Sequence, residues 1–183
     1  LMKEFWQDLK KAIRTVPDFP IDGIQFRDIT SLLANPLAFN KALIDLTNIA
    51  FQGTKIIGIE SRGFVFGSAM ARDMDVGFIM ARKPGKLPNP TYKKDYKLEY
   101  GTATLELQKN EEISPDDKVV IVDDLIATGG TALACADLVH ENWNVPKENI
   151  LVVAVIDLTD LGGSAKIVAE GYKVGTLVEY EGE

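Results

Sequence analysis

The chain has 183 residues, 46% of them apolar and 26% charged, and its 20 Lys+Arg against 27 Asp+Glu leave a net charge of −7. At roughly 150 residues per domain this predicts one domain spanning 1–183, large enough to bury a core without disulfides or a structural metal. The acidic balance argues against non-specific nucleic-acid or anionic-membrane binding, and a single cysteine (Cys135) with a single histidine (His140) argues against a disulfide or a zinc site of the usual kind. No apolar run approaches the ~18 residues of a membrane span and no basic-then-apolar signal peptide opens the chain, whose expected natural start is Met2, so a soluble, cytoplasmic protein is expected.

Phe5, Trp6, Leu9 and Ile13 at helical spacing predict a helix over Lys3–Arg14, stopped at Val16-Pro17 because the residue before a proline avoids the α region. Pro20–Thr30 reads as irregular or extended. Asn35-Pro36, a cap followed by proline at the first helical position, predicts a helix to about Ala50. Four short, continuous apolar runs follow, at Ile56–Ile59, Val76–Met80, Val119–Val122 and Leu151–Ile156. Runs without alternation suit strands buried on both faces of a parallel sheet. Helical stretches are predicted at Phe64–Met74, Thr131–Asn142 and Leu161–Gly171. The alternation means α/β architecture, a parallel sheet flanked by helices with right-handed crossovers. Arg82–Pro115 interrupts it as a long insertion, in which Lys97–Tyr100 and Thr102–Gln108, split at Gly101, suggest a hairpin.

The chemistry concentrates in Val119-Val120-Ile121-Val122-Asp123-Asp124-Leu125-Ile126-Ala127-Thr128-Gly129-Gly130-Thr131. This reads as a buried strand ending in two carboxylates, then a Thr-Gly-Gly-Thr turn that opens a helix. Open parallel sheets bind ligands at the C-terminal ends of their strands. Glycines at a helix N-terminus let backbone N–H groups approach an anion, and the helix dipole favours negative charge there. Thr128 and Thr131 add hydroxyl donors, so the turn suits a phosphate monoester. The acidic pair suits sugar hydroxyls or, through water, Mg²⁺. The Gly-Lys-Ser/Thr ending of a Walker loop is absent, as is Gly-x-Gly-x-x-Gly. An ordinary strand-to-helix turn accounts for Gly-Gly alone but poorly for the whole stretch.

The segment Val122-Asp123-Asp124-x-x-Ala127-Thr128-Gly129-Gly130-Thr131 resembles the 5-phosphoribosyl-1-pyrophosphate (PRPP) signature of type I phosphoribosyltransferases. Four other stretches narrow the resemblance to the adenine phosphoribosyltransferase family: Phe19-Pro20-x-x-Gly23-Ile24-x-Phe26-Arg27-Asp28-Ile29-Thr30, Glu60-Ser61-Arg62-Gly63-Phe64, Arg82-Lys83-x-Gly85-Lys86-Leu87-Pro88 and Leu98-Glu99-Tyr100-Gly101. They are co-linear with the family from about Val16 to Thr131. A weaker echo lies at Asp160-Leu161-Gly162-Gly163, after which some members carry an arginine and this chain offers Lys166.

The resemblance implies a type I phosphoribosyltransferase fold with an N-terminal hood (about 16–35) and a long flexible lid (about 84–104). It implies transfer of ribose 5-phosphate from PRPP to N9 of adenine, giving AMP and pyrophosphate, by a Mg²⁺-dependent homodimer. Ala127, Thr128, Gly129, Gly130 and Thr131 take the 5′-phosphate, and Asp123 and Asp124 the ribose, with an indirect hold on Mg²⁺. Ser61, Arg62, Gly63, Arg82, Lys83 and Lys86 take the pyrophosphate, and the Glu60–Ser61 peptide can be cis. Phe26 and Ile126 sandwich adenine, backbone near Gln25 and Arg27 reads its edge, and Glu99 is the candidate general acid/base. Such a reaction builds oxocarbenium-like charge on the ribose and negative charge on the leaving group, which calls for preorganised cations. The blander alternatives are Phe26 as hood core, Arg62 as a surface cation, Gly63 as a plain helix-entry turn and Glu99 as a surface charge.

Cys135, among alanines, reads as core; His140 as a helix-end residue; Trp6 and Trp143 as packing anchors; and Lys93-Lys94-Asp95 as the solvated face of the lid. Two other functions compete. A 6-oxopurine phosphoribosyltransferase tends to use a side-chain lysine to the oxo group, which the hood lacks. A PRPP-sensing nucleic-acid regulator needs a basic face or helix-turn-helix, and neither is evident.

Overall fold

The computed structural model describes residues 9–98 and 101–182. Its centre is a five-stranded parallel sheet of order β4-β3-β7-β8-β9, built from β3 (Lys55–Ile59), β4 (Gly77–Ala81), β7 (Val119–Ile126), β8 (Ile150–Leu158) and β9 (Lys173–Tyr180). Alternate residues of one strand enter different cores. Ile57, Ile121 and Val152 join one apolar cluster, and Ile56, Val120 and Val153 the other. That is why the strands read as unbroken apolar runs, since each face must be buried under helices.

The first core lies beneath α4 (Gly130–Trp143) and α5 (Gly163–Ala169), and the second beneath α1 (Thr30–Ala34), α2 (Pro36–Ile49) and α3 (Arg62–Met74). Asn35 caps α2 as its sequence predicts, its side chain accepting from the N–H groups of Leu37 (3.1 Å) and Ala38 (3.2 Å), with Pro36 behind it. Among the described residues no helix is long and apolar enough to cross a membrane.

Several boundaries differ from the expectation. Residues 9–12 are helical, but Arg14 belongs to β1 (Arg14–Pro17), which pairs antiparallel with β2 (Gln25–Asp28), so the predicted helix ends earlier. Trp6 and the rest of 1–8 lie outside the described residues. β7 runs through the acidic pair to Ile126 because its backbone stays paired with β8, from Asp123 opposite Ala154 to Ile126 opposite Asp157. α1 and the edge strand β9 went unpredicted; β9 carries Lys173, Gly175, Thr176 and Glu179 and has no continuous apolar run.

The insertion does form a hairpin, of β5 (Thr91–Lys97) and β6 (Thr102–Gln108), but its first arm ends where the sequence reading began it. Half-buried Tyr92, Lys94 and Tyr96 alternate with exposed Lys93, Asp95 and Lys97. The charged run is therefore an amphipathic strand lying on α4. Lys94 bridges to Glu141 (2.6 Å) and Asp137 (3.8 Å), Lys93 pairs with buried Glu106, and Asp95 accepts from Thr104. The partner charges of Glu141 and Asp137 outweigh burial and raise the Lys94 pKa.

At the N-terminal strand pair, Asp28 accepts from the Thr30 hydroxyl (2.6 Å), from Arg14 (2.7 Å) and from the Thr30 N–H (2.9 Å), which together hold its pKa at about 2, below the usual 3.8. A depressed folded-state pKa contributes stability that is present above the unfolded value and lost as pH falls through the folded one. Asp28→Asn should thus be less stable than the parent at neutral pH, with the difference shrinking as pH falls from about 4 to about 2. Urea denaturation across that range measures it.

Candidate active site

β3 and β7 are neighbours in the sheet, yet β3 feeds α3 on one face and β7 feeds α4 on the other. Their connections diverge, and a crevice opens between them at the C-terminal ends of the strands, the place where open α/β sheets bind ligands. The crevice has a volume of about 480 Å³. Glu60, Ser61 and Arg62 line it from the β3 side, Asp123 to Ala132 from the β7 side, Lys83 from beyond β4 and Tyr96 from the hairpin.

On the β7 side, α4 starts at Gly130 with no side-chain cap and no acidic residue in its first turn, so its first N–H groups face the crevice unclaimed by side chains. Gly129 precedes it with φ +81°, a left-handed conformation that favours glycine. Thr128 is exposed and Thr131 half-buried beside it. The geometry is that of an anion cradle. Just before it, buried Asp124 takes Arg62 Nε at 2.9 Å, and the Asp124 N–H donates to Asp123 Oδ1 at 2.8 Å. Desolvation, reinforced by the charge of Asp124, pushes the Asp123 carboxyl well above the usual range.

On the β3 side the Glu60–Ser61 peptide is cis, as the resemblance allows. Gly63 is no simple surface turn. A Cβ there would lie 2.4 Å from the Val122 carbonyl oxygen, so the residue lets the start of α3 pack directly on β7. Glu60, which the sequence reading quoted in the motif but gave no task, accepts from Arg82 (3.1 and 3.3 Å) and from the Lys83 N–H (2.9 Å). Burial raises the Glu60 pKa, but Arg82 and Lys83 outweigh it, and the net shift is downward. Arg82 is itself bound through its backbone to Glu106 of β6 (3.0 and 2.8 Å), which ties the hairpin to this loop.

Of the residues the sequence singles out, Ser61, Arg62, Lys83, Asp123, Asp124, Ile126, Ala127, Thr128, Gly129, Gly130 and Thr131 meet at the crevice. Arg82 turns to Glu60 and Lys86 is exposed, and neither is in the lining. Phe26 packs edge-on against Phe19 (5.1 Å) and lies 5.9 Å from the Arg62 guanidinium, beside the crevice but outside its lining. The Arg27 side chain is committed elsewhere. It donates to Thr15 (2.7 Å) and to the Gly182 carbonyl, and covers the Tyr180 ring at 4.2 Å. Glu99 and Tyr100 lie outside the described residues. Tyr96 was missed, although the alternation of Tyr92, Lys94 and Tyr96 was a readable sign of a strand with one face turned inward. Trp143 is a packing anchor, edge-on to Tyr92 (5.2 Å) and donating to the Glu111 carbonyl. His140 Nδ1 sits 2.8 Å from the Val145 carbonyl oxygen at the end of α4.

An anion cradle behind an acidic pair, faced across a switch point by an arginine-bearing loop, is the construction of a phosphoribosyl transferase domain, and the family model of that domain matches residues 29–157. The chain is 46% identical to the adenine phosphoribosyltransferase of Marinobacter nauticus across all of both chains. The APRTase of Giardia lamblia, complexed with 9-deazaadenine, superposes with a TM-score of 0.88 at 35% identity, covering 96% of this chain and 97% of that one. The Saccharomyces cerevisiae adenine phosphoribosyltransferase, complexed with an iminoaltritol bisphosphate and adenine, gives 0.83 at 36% identity, covering 96% and 99%. The chain belongs to the adenine phosphoribosyltransferase family.

Cys135 is fully buried in α4, and burial pushes its thiol far above the usual range, so it is core rather than nucleophile. An aromatic disulfide reagent should label it no faster than the chain unfolds, and urea should accelerate labelling in step with loss of helical signal. Rapid labelling of the native chain at neutral pH would contradict that placement.

Proposed function

We propose that the crevice performs its transfer with each end of PRPP held by a different loop. The chain is a purine-salvage transferase that converts adenine and PRPP to AMP and pyrophosphate. The observation that carries the residue assignment is the pairing of the uncapped N-terminus of α4 with the Arg62–Asp124 contact across the crevice. The 5′-phosphate is assigned to the Ala127–Thr131 turn, where N–H groups and the helix dipole meet it. The ribose hydroxyls are assigned to Asp123 and Asp124. As positive charge develops on the ribose, it draws Asp123 back toward its ionised form and is stabilised in return.

Ser61, Arg62 and Lys83 are assigned to the pyrophosphate, and buried Gly63, outside the lining, joins them by resemblance alone. Arg62 exchanges Asp124 for the leaving group, whose charge matches it better than a single carboxylate does. Arg82 and Lys86 come to the pyrophosphate by resemblance alone; the geometry gives Arg82 the task of fixing Glu60 and hence the loop. Adenine is assigned to the space between Phe26 and Ile126. The commitment of the Arg27 side chain to Thr15 and Gly182 leaves the backbone of residues 25–27 to read the base. Residues from about 84 to 104 are the proposed lid and residues 16–35 the proposed hood of one domain, acting in a cytoplasmic homodimer.

Among the described residues no group of three or more His, Cys, Asp or Glu side chains is placed to hold a metal. The acidic pair instead fits Mg²⁺ carried by PRPP and held partly through water, since this ion keeps several waters. When bound it neutralises charge on the leaving pyrophosphate.

Incubation with Mg²⁺, PRPP and labelled adenine should yield AMP, while hypoxanthine in its place should not be a comparable substrate. Asp123→Asn with Asp124→Asn keeps hydrogen-bonding capacity and removes charge, so kcat/KM for PRPP should fall at least tenfold, about 1.4 kcal/mol. Wild-type kcat/KM in the folded double variant would remove the pair from the ribose site.

Glu99 falls in sequence between β5 and β6 and is proposed as the acid/base near the purine imidazole. Desolvation in a closed site would raise its pKa and suit it to hold a proton. Glu99→Gln should lower kcat by about 10²–10⁴ with little change in adenine Kd. A normal single-turnover rate in Gln with a deficit in Leu would make Glu99 a positioner; normal rates in both would make it a surface charge.

A further inference from the structure

We infer that the β8–α5 connection, through Gly163, is a rigid backing that holds the phosphate turn in its anion-binding shape, making Gly163 a positioning residue for the transfer. The inference rests on the assignment of the 5′-phosphate to the Ala127–Thr131 turn. Its first support is a reciprocal backbone contact. The Gly163 N–H donates to the Ala127 carbonyl at 3.1 Å. A Cβ on Gly163 would meet the Ala127 carbonyl oxygen at 2.3 Å, the Gly129 nitrogen at 2.7 Å and the Ile126 Cγ2 at 2.9 Å. From the other side, a Cβ on Gly129 would meet the Gly163 oxygen at 2.8 Å and its Cα at 2.9 Å. Two glycines thus face each other, and the atoms in the way are mostly backbone atoms that no rotamer can move aside.

Nothing in the conformation of Gly163 itself demands glycine. It opens α5 without a positive φ, and helix propensity favours alanine there. Only the neighbouring turn penalises a side chain. The Gly129 nitrogen, one of the groups a Gly163 side chain would displace, belongs to the stretch proposed to meet the phosphate.

A second contact fixes the connection. Asp157 sits in β8 opposite Ile126, the last residue of β7, and is buried. Its Oδ2 accepts from the Ser164 hydroxyl at 2.7 Å, and its Oδ1 is buried with no hydrogen-bond partner among the described residues. A buried carboxylate with half its acceptors unused is costly, and the Ser164 bond is the part of that cost which is met. The bond joins the first turn of α5 to β8 at the residue paired with Ile126, where β7 gives way to the phosphate turn, so Gly163 is held against Ala127 and Gly129 from its own C-terminal side. The connection therefore acts on substrate only through the turn it supports.

The test uses ribose 5-phosphate, which carries the phosphate but no base and no pyrophosphate. Gly163→Ala should weaken its binding, measured by calorimetry, at least tenfold, and raise KM for PRPP while KM for adenine at saturating PRPP stays within about twofold. Wild-type affinity in a folded Gly163→Ala would overturn the inference. Gly129→Val, measured alongside, separates the two claims. If it alone loses affinity, the turn binds phosphate and the backing is irrelevant; if it too binds normally, the phosphate assignment itself is wrong. Should Gly163→Ala not fold, Ser164→Ala loosens the tether without adding an atom. It should raise KM for PRPP selectively, and equal effects on both substrates, or none, would refute the positioning role.

Discussion

The rest of the molecule depends on a topological constraint: two neighbouring parallel strands, β3 and β7, must send their helices to opposite faces of the sheet. The divergence helps cover the sheet on both faces and leaves an opening at the C-terminal edge. Around it the chain ends β3 in the cis Glu60–Ser61 peptide and β7 in the Gly129–Gly130 turn. Each side contributes what the other lacks. The β7 side brings uncapped N–H groups and carboxylates; the β3 side brings Arg62, with Lys83 beyond β4. The hairpin joins the arrangement through Arg82, whose backbone pairs with Glu106 and whose guanidinium holds Glu60.

An acidic chain that handles two anionic groups has to concentrate its positive potential. Net charge −7 would oppose phosphate at long range, so attraction falls to short-range, directed groups, of which the structure offers the dipole and N–H groups of α4 and the exposed Arg62 guanidinium held by buried Asp124. The crevice balances its own charges. Arg62 and Asp124 pair, and Asp123 is pushed toward its neutral form. Under the proposed assignment ligand binding is largely an exchange of partners inside a polar site, which limits the desolvation that anion capture would otherwise cost.

Much of the fold was legible because burial on both faces leaves an unambiguous apolar run, as in Ile56–Ile59 and Val119–Val122. The Asn35-Pro36 cap was legible for a local reason, needing nothing but its own first turn. What failed to show was set by tertiary partners. β9 is an edge strand of mixed polarity and announces itself only through pairing with β8. The acidic pair looked like a strand end because carboxylates are rare inside sheets, yet β8 keeps β7 paired to Ile126. Lys93-Lys94-Asp95 looked like free surface because its partners, Glu106, Glu141 and Thr104, are distant in sequence or across the hairpin. The β7 side of the crevice was legible from its motif, as were Ser61, Arg62 and Lys83 opposite, because each motif is a continuous loop; Phe26, Gly63, Arg82 and Lys86 lie outside the lining. Glu60 as anchor of Arg82 and the two facing glycines behind the phosphate turn were invisible, since each is a relation between loops rather than a property of either.

The short connection after β8 also reaches the far end of the molecule. Asp160 accepts from the Gly182 N–H, Gly182 in turn accepts from Arg27, and Arg27 lies over Tyr180. Residues separated by almost the whole chain are thereby fastened beside the strand that carries Phe26. Removing Gly182 would take away the carbonyl contact of Arg27, leave its guanidinium with Thr15 and Tyr180, and leave the Gly129–Gly130 turn untouched. The loosening would thus fall beside β2, away from the turn that Gly163 touches, although a stretch of the same connection supports both.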